Sequence, residues 1–208
     1  MLQQTQVITV IDYFNRFIKA FPDIEALANA KEDKVMAAWA GLGYYSRALN
    51  LHKAAKIITS KYGGTLPKSF EEVVSLPGIG PSTAGAILSL GSNIKAPILD
   101  GNVKRVLSRY HRVEGHYSKG PVTKELWKLA ALHTPSTKNA KYTQAIMDLG
   151  ATICTPKNPN CEKCPISSHC LAFLNNEQEI FPHKRSTKPS KPERNTAFLI
   201  FKNEKQEI

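Results

Sequence analysis

Apolar side chains recur at three- and four-residue steps along most of this chain, the spacing that lines up one face of an α-helix. Val7, Ile8, Val10, Ile11, Phe14, Phe17, Ile18 and Phe21 make a first wide stripe, which Pro22 ends. The same periodicity predicts helices over about 23–29, 32–40, 44–61, 70–76, 82–91, 102–112, 121–133 and 138–153. Several starts are punctuated: Asp23 is placed to cap a helix, Ser69 with Glu72 spells a capping box, and Pro81 after Gly80 suits a first helical position. No convincing strand precedes residue 196, so an all-α body is expected. Over residues 183–195 the composition turns to Lys, Arg, Pro, Ser and Thr, the mark of an extended, solvated linker. Beyond it Thr196–Lys202 reads as a lone β-strand. One strand cannot form a sheet, so a second domain is expected to begin there and to be cut off.

Charge narrows the class of partner. Among 208 residues, 28 Lys and Arg against 17 Asp and Glu leave a net charge of +11, which favours a polyanion, although a generic basic surface is the plain alternative. No apolar run approaches the roughly 18 residues of a membrane span, and no basic-apolar-small leader opens the sequence. A cytosolic protein without membrane partners is expected.

All four cysteines fall in one window, as Cys154-x6-Cys161-x2-Cys164-x5-Cys170. Disulfides suit small secreted domains short of core, whereas this chain is 42% hydrophobic and spends no cysteine elsewhere. Four converging thiolates point to a metal site. Zinc ribbons usually present two short Cys-x2-Cys knuckles and this run has one, so the unequal arms favour an iron-sulfur cluster while leaving structural zinc open.

Between two predicted helices lies Leu76-Pro77-Gly78-Ile79-Gly80-Pro81-Ser82-Thr83-Ala84-Gly85. Gly78 and Gly80 allow a tight turn, and the N–H groups at the start of the following helix point outward with the positive end of its dipole. That geometry suits a phosphate, though an ordinary interhelical turn would read alike. The basic segment Asn102–Arg112, with Lys104 and Arg105, shifts the balance toward DNA.

The hairpin, the Ile98-Leu-Asp-Gly-Asn-Val-Lys-Arg105 segment and the cysteine run occur in the order found in the endonuclease III superfamily of DNA glycosylases. Met1-Leu-Gln-Gln-Thr-Gln-Val7, Gly41-Leu-Gly-Tyr-Tyr-Ser-Arg-Ala48 and Gln144-Ala-Ile-Met-Asp-Leu-Gly150 make residues 1 to about 182 resemble the adenine DNA glycosylases of the MutY type. The resemblance implies a six-helix barrel domain over 1–100 containing the helix-hairpin-helix, then a helical cluster domain over 101–182 holding a 4Fe-4S cluster on Cys154, Cys161, Cys164 and Cys170. It further implies a linker over 183–195, and at 196–208 the start of a truncated 8-oxoguanine-reading domain. The activity implied is removal of adenine mispaired with 8-oxoguanine or guanine in double-stranded DNA, by a monomer.

Roles follow residue by residue. Leu2, Gln3, Gln4 and Tyr44 correspond to residues that wedge into the helix, and Thr5 and Leu42 to ones near the orphaned 8-oxoguanine; packing is the plainer role for Leu2 and Leu42. Gln144 matches a position contacting adenine, Val7 and Met147 would line the pocket, and Lys157 in the cysteine loop would touch the DNA backbone. Asp100 is the catalytic candidate, because a fixed carboxylate stabilises the positive charge that develops on the sugar. Capping the helix that follows is compatible with that role. Lys104, one turn on, would contact phosphate or sugar.

One departure stands at the front. In the family a glutamate that protonates the departing adenine lies two places upstream of the Met-Leu-Gln-Gln motif, and that motif opens this sequence at Met1. An internal start and an incomplete reading frame are expected, with impaired activity. Two other readings stay open: a DNA-binding module without chemistry, and an endonuclease III-like glycosylase and lyase. The lyase needs an amine nucleophile, and Ser82 stands where that class carries lysine.

Overall fold

The computed structural model describes Met1 and residues 5–185, and the described residues are helical, without a strand. In order they form α1 (Val7–Ala20), α2 (Ile24–Asn29), α3 (Glu32–Trp39), α4 (Ser46–Tyr62), α5 (Phe70–Val74), α6 (Pro81–Ser92), α7 (Gly101–Tyr110), α8 (Gly120–His133) and α9 (Asn139–Asp148). A π-helical turn, Leu149–Ile153, continues α9; two 3-10 turns, Cys161–Lys163 and Ser167–His169, shape the cysteine loop, and α10 (Leu171–Leu174) closes it. The expected strand at 196–202, most of the expected linker, and Leu2, Gln3 and Gln4 lie outside the described residues.

Local chemistry sets the boundaries. Asp23 accepts the Ala26 N–H at 2.7 Å, as its cap position requires. Ser69 accepts from the Glu72 N–H, but its hydroxyl donates to Glu71 at 2.9 Å, so the expected reciprocal box with Glu72 is only half formed. Pro81 begins α6 with Gly80 as N-cap, and α4 and α6 end on left-handed Gly63 and Asn93. The single helix expected over 138–153 is helical from Asn139 to Ile153 but changes to π winding after Asp148, where the π turn brings Gly150 against α7. A Cβ on Gly150 would lie 2.5 Å from that of Asn102.

Four apolar clusters hold the helices together. Val10, Phe17, Phe21, Leu27, Val35 and Trp39 make the first, joining α1 to α4, with the Phe17 ring edge-on to Trp39 at 5.9 Å. Only one flank of α1 enters it: Val7, Ile8, Ile11, Phe14 and Ile18 remain 45–79% exposed, so the stripe seen in the sequence is wider than the face that packs. Two smaller clusters, around Ile58 and Leu76 and around Val73, Ala84 and Leu88, seat α5 and α6 on α4. The last, from Leu99, Val103, Val106, Leu107, Leu126 and Ile146, gathers α7 to α9. Each fully buried side chain of this kind contributes about 1.5–3 kcal/mol.

Candidate active site

Gly78 and Gly80 have different jobs in the α5–α6 turn. Gly78 has φ +76°, and a Cβ there would sit 2.7 Å from the Asn50 Cβ on α4, so both backbone conformation and close approach exclude larger residues. Gly80 is extended, at φ −86° and ψ 171°, and a Cβ would meet nothing within 4 Å. The sequence suggests a conformational need at both glycines; the structure bears it out at Gly78 and not at Gly80. What Gly80 retains is an unobstructed surface at the N-terminus of α6, where main-chain N–H groups and the helix dipole favour an anion.

Asp100 is the N-cap of α7, and its Oδ1 accepts the Val103 N–H at 2.8 Å. The cap fixes one edge of the carboxylate while the residue lines a cleft of about 770 Å³ shared with Tyr44, Arg47, Ser82, Thr83 and Met147. Ser82 reaches Asp100's neighbour: its hydroxyl accepts the Leu99 N–H at 3.0 Å. Among the described residues lining this cleft, Asp100 is the sole carboxylate and there is no lysine.

Tyr44 is 63% exposed at the rim, with φ +47°, a left-handed conformation that costs a non-glycine residue free energy. Arg47 braces it. The guanidinium lies 5.5 Å from the Tyr44 ring and 5.4 Å from Trp39, and donates to the Met1 carbonyl at 2.8 Å and Thr5 Oγ1 at 3.2 Å. Thr5 and Tyr44 thus come together, whereas Leu42 is 7% exposed within the first core and packs beneath the turn instead of facing the cleft. Met147 lines the Asp100 cleft as expected. Val7 lines a separate groove between α1 and α4, and Gln144, exposed on α9, donates to Asp148 at 2.8 Å and is not part of the cleft wall.

The basic segment divides. Lys104 stays at the surface, its ammonium 5.4 Å from the Tyr117 ring, and Lys157 is exposed. Arg105 turns inward, against the sequence expectation of a phosphate contact: it donates to the Gly150 and Cys154 carbonyls at 2.6 and 2.7 Å and to Asn102 at 2.9 Å. Burial lowers its pKa from the ordinary value, the direction expected of a cation withdrawn from water. Arg109, one turn on and 2% exposed, donates to Phe181 and Thr155 carbonyls at 2.8 and 2.7 Å and to Cys154 Sγ at 3.3 Å. Sequence reasoning missed Arg47 and Arg109 as site residues. The i, i+4 spacing of Arg105 and Arg109 beside Val106 and Leu107 was the available signal, since a solvated face would not carry that apolar company.

Cys154, Cys161, Cys164 and Cys170, all half-buried, share the wall of one small cavity, unbridged to each other. Among the described residues no three His, Cys, Asp or Glu side chains are gathered tightly enough for one metal ion, whereas a multi-iron cluster takes thiolates spread around its corners. Burial, reinforced by neighbouring thiols, pushes Cys161 and Cys170 above the usual thiol value, so ligation would displace protons. Arg109 supplies a buried positive charge beside an otherwise anionic group. The donor set fits an iron-sulfur cluster.

Comparison with known proteins places this architecture. Residues 1–131 match the family model of HhH-GPD superfamily base excision DNA repair proteins, and the chain belongs to that superfamily. Residues 154–170 match the iron-sulfur binding domain of endonuclease III, and the cofactor is a 4Fe-4S cluster. Within the superfamily the chain is similar to proteins named adenine DNA glycosylase. That of Buchnera aphidicola subsp. Acyrthosiphon pisum is 45% identical over 98% of this chain and 58% of its own length, and that of Homo sapiens 42% over 86% and 33%. The chain therefore spans little more than half the length of the bacterial relative. Among solved structures, a thermostable thymine-DNA glycosylase superposes with TM-score 0.74 at 28% identity, covering 84% of this chain and 80% of that one. A non-covalent endonuclease III–DNA complex shares the fold, with TM-score 0.67 at 22% identity over 83% and 79%. No helix among the described residues is long and apolar enough to cross a membrane.

Proposed function

We propose that this chain is the core of a monofunctional adenine DNA glycosylase that removes adenine opposite 8-oxoguanine or guanine, acting as a monomer in the cytoplasm. The observation that carries the proposal is Asp100, the sole carboxylate of the cleft's described lining, fixed by the Val103 N–H beside the α5–α6 hairpin, with Ser82 in the same lining. The hairpin, the half-buried Lys104 and the exposed Lys157 would hold the phosphate backbone, with specificity left to the base pocket. Adenine must leave the stack before its glycosidic bond can be reached, and Tyr44 at the rim would occupy the opened duplex with Leu2, Gln3 and Gln4, while Thr5 would lie near the orphaned 8-oxoguanine. Asp100 would then stabilise the cationic sugar as the bond breaks. Ser82 offers no amine, so base release would leave an intact strand. Gln144 serves this reaction only after leaving Asp148 to meet the base.

The four cysteines would hold the cluster, whose work here is structural: the loop it fixes grips α7 through Arg105 and Arg109, and α7 carries Asp100. The body would divide near residue 100, and residues 183–195 would tether a following domain that reads 8-oxoguanine. The cleft's described lining contains no second carboxyl to protonate the leaving adenine, so residues 1–208 alone would bind without efficient chemistry.

Fluorescence anisotropy with residues 1–208 tests the substrate assignment. Duplexes with A:8-oxoguanine or A:G mispairs should bind tighter than A:T or T:G duplexes. Equal affinity for all four, or preference for T:G, would contradict it.

A further inference from the structure

The helix that follows the hairpin and the segment that carries Asp100 are joined by a side-chain hydrogen bond. Ser82 stands in the first turn of α6, two residues after Gly80, and its hydroxyl accepts the Leu99 N–H at 3.0 Å, one residue before Asp100. Gly85, a turn further along, holds the same two segments in contact: a Cβ there would lie 2.1 Å from the Pro97 carbonyl oxygen. From the other side the Val103 N–H binds Asp100 Oδ1 at 2.8 Å. Ile98 and Leu99, each 3% exposed, anchor the segment in the core. The carboxylate is therefore clamped between the start of α6 and the start of α7, and Ser82 is a polar tie from the α6 side.

We propose that Ser82 is a positioning residue for Asp100, carrying the seating of the hairpin on a phosphate through to the placement of the carboxylate. In this role its hydroxyl acts on the Leu99 main chain. The physical ground is that electrostatic stabilisation depends on a carboxylate fixed in advance; one left free to relax loses part of its effect on a developing cation. This inference rests on the reading of Asp100 as the cation-stabilising group.

The test needs no turnover. Cluster-loaded residues 1–208 are titrated with two duplexes that differ at the target nucleotide, one carrying a protonated pyrrolidine abasic-site mimic and the other a neutral tetrahydrofuran mimic. The ratio of the two affinities reads how well the protein stabilises positive charge at the sugar. Ser82→Ala should lower that preference by about tenfold, the upper range for one hydrogen bond, while affinity for the neutral duplex falls much less. Ser82→Thr, which keeps the hydroxyl, should restore it. An unaltered ratio in Ser82→Ala, or an equal loss on both duplexes, would overturn the proposal, the latter by showing that Ser82 serves the fold or DNA contact. If the wild-type chain shows no preference and Asp100→Asn changes nothing, the reading of Asp100 itself fails, a result distinct from either.

Discussion

Gly78 and Gly80, two residues apart and alike in sequence, carry opposite predictions. Gly78→Ala should destabilise the fold by about 1–3 kcal/mol, because φ +76° strains any L side chain and the new Cβ meets Asn50. Gly80→Ala should leave the melting temperature almost unaltered, since its backbone is extended and its surroundings open. Gly80→Val should weaken DNA binding by obstructing the phosphate while the circular dichroism spectrum is retained. Thermal melts and DNA titrations on the same preparations separate the two; a Gly80→Ala variant that melts early would refute the distinction. The sequence made the hairpin legible but not this difference, because φ at Gly78 is set by packing on α4, far away in the chain.

At the scale of the element, α7 joins the two halves of the site: Asp100 caps its first turn and Arg109 in its last turn reaches Cys154. Arg109→Lys keeps the charge but cannot reproduce the fork that reaches Phe181, Thr155 and Cys154 together. It should cost about 1–3 kcal/mol of stability and reduce the broad absorption near 400 nm expected of the cluster, measured per mole of protein. Full cluster retention would show that the guanidinium is dispensable. At the far end of α7, His111 and His133 of α8 bring Nε2 atoms to 2.7 Å. Burial and then His133 lower the His111 pKa, with Glu125 opposing. Because the folded value lies below the unfolded one, the unfolded chain binds more protons between them, so this contribution is complete above about pH 6.5 and is lost as pH falls toward the folded value. His111→Asn should flatten the melting temperature over that window; an undiminished slope would remove His111 from the account.

Across the whole molecule, helix order was legible because the period of the stripes and the caps at Asp23, Gly80 and Asp100 are local. The cysteine run was legible for the same reason, whereas the catalytic role expected of Asp100 came from the family resemblance. What stayed hidden was long-range. The inward turn of Arg105, the π winding after Asp148 and the burial of Leu42 all depend on segments that meet only after folding. The excess of positive charge belongs to this scale too. Binding should weaken steeply and log-linearly with salt, and Lys157→Ala should lower affinity by a similar factor on every sequence while shallowing the slope. Salt-independent binding would contradict a backbone-gripping surface.

The central claim is that Asp100, in a cleft whose described lining holds no amine, supports adenine release without strand cleavage. The most direct measurement is adenine release from an A:8-oxoguanine duplex, scored with and without alkali. It compares residues 1–208, the same chain extended upstream of Met1 with the corresponding glutamate-bearing segment of a curated relative, and the Asp100→Asn form of the extended chain. General acid catalysis is typically worth about 100- to 10,000-fold. The account predicts negligible release by residues 1–208, release by the extended chain with strand breaks only after alkali, and loss of most of that activity in Asp100→Asn with DNA binding retained. Robust release by residues 1–208, alkali-independent breaks, or an active Asp100→Asn form would contradict it.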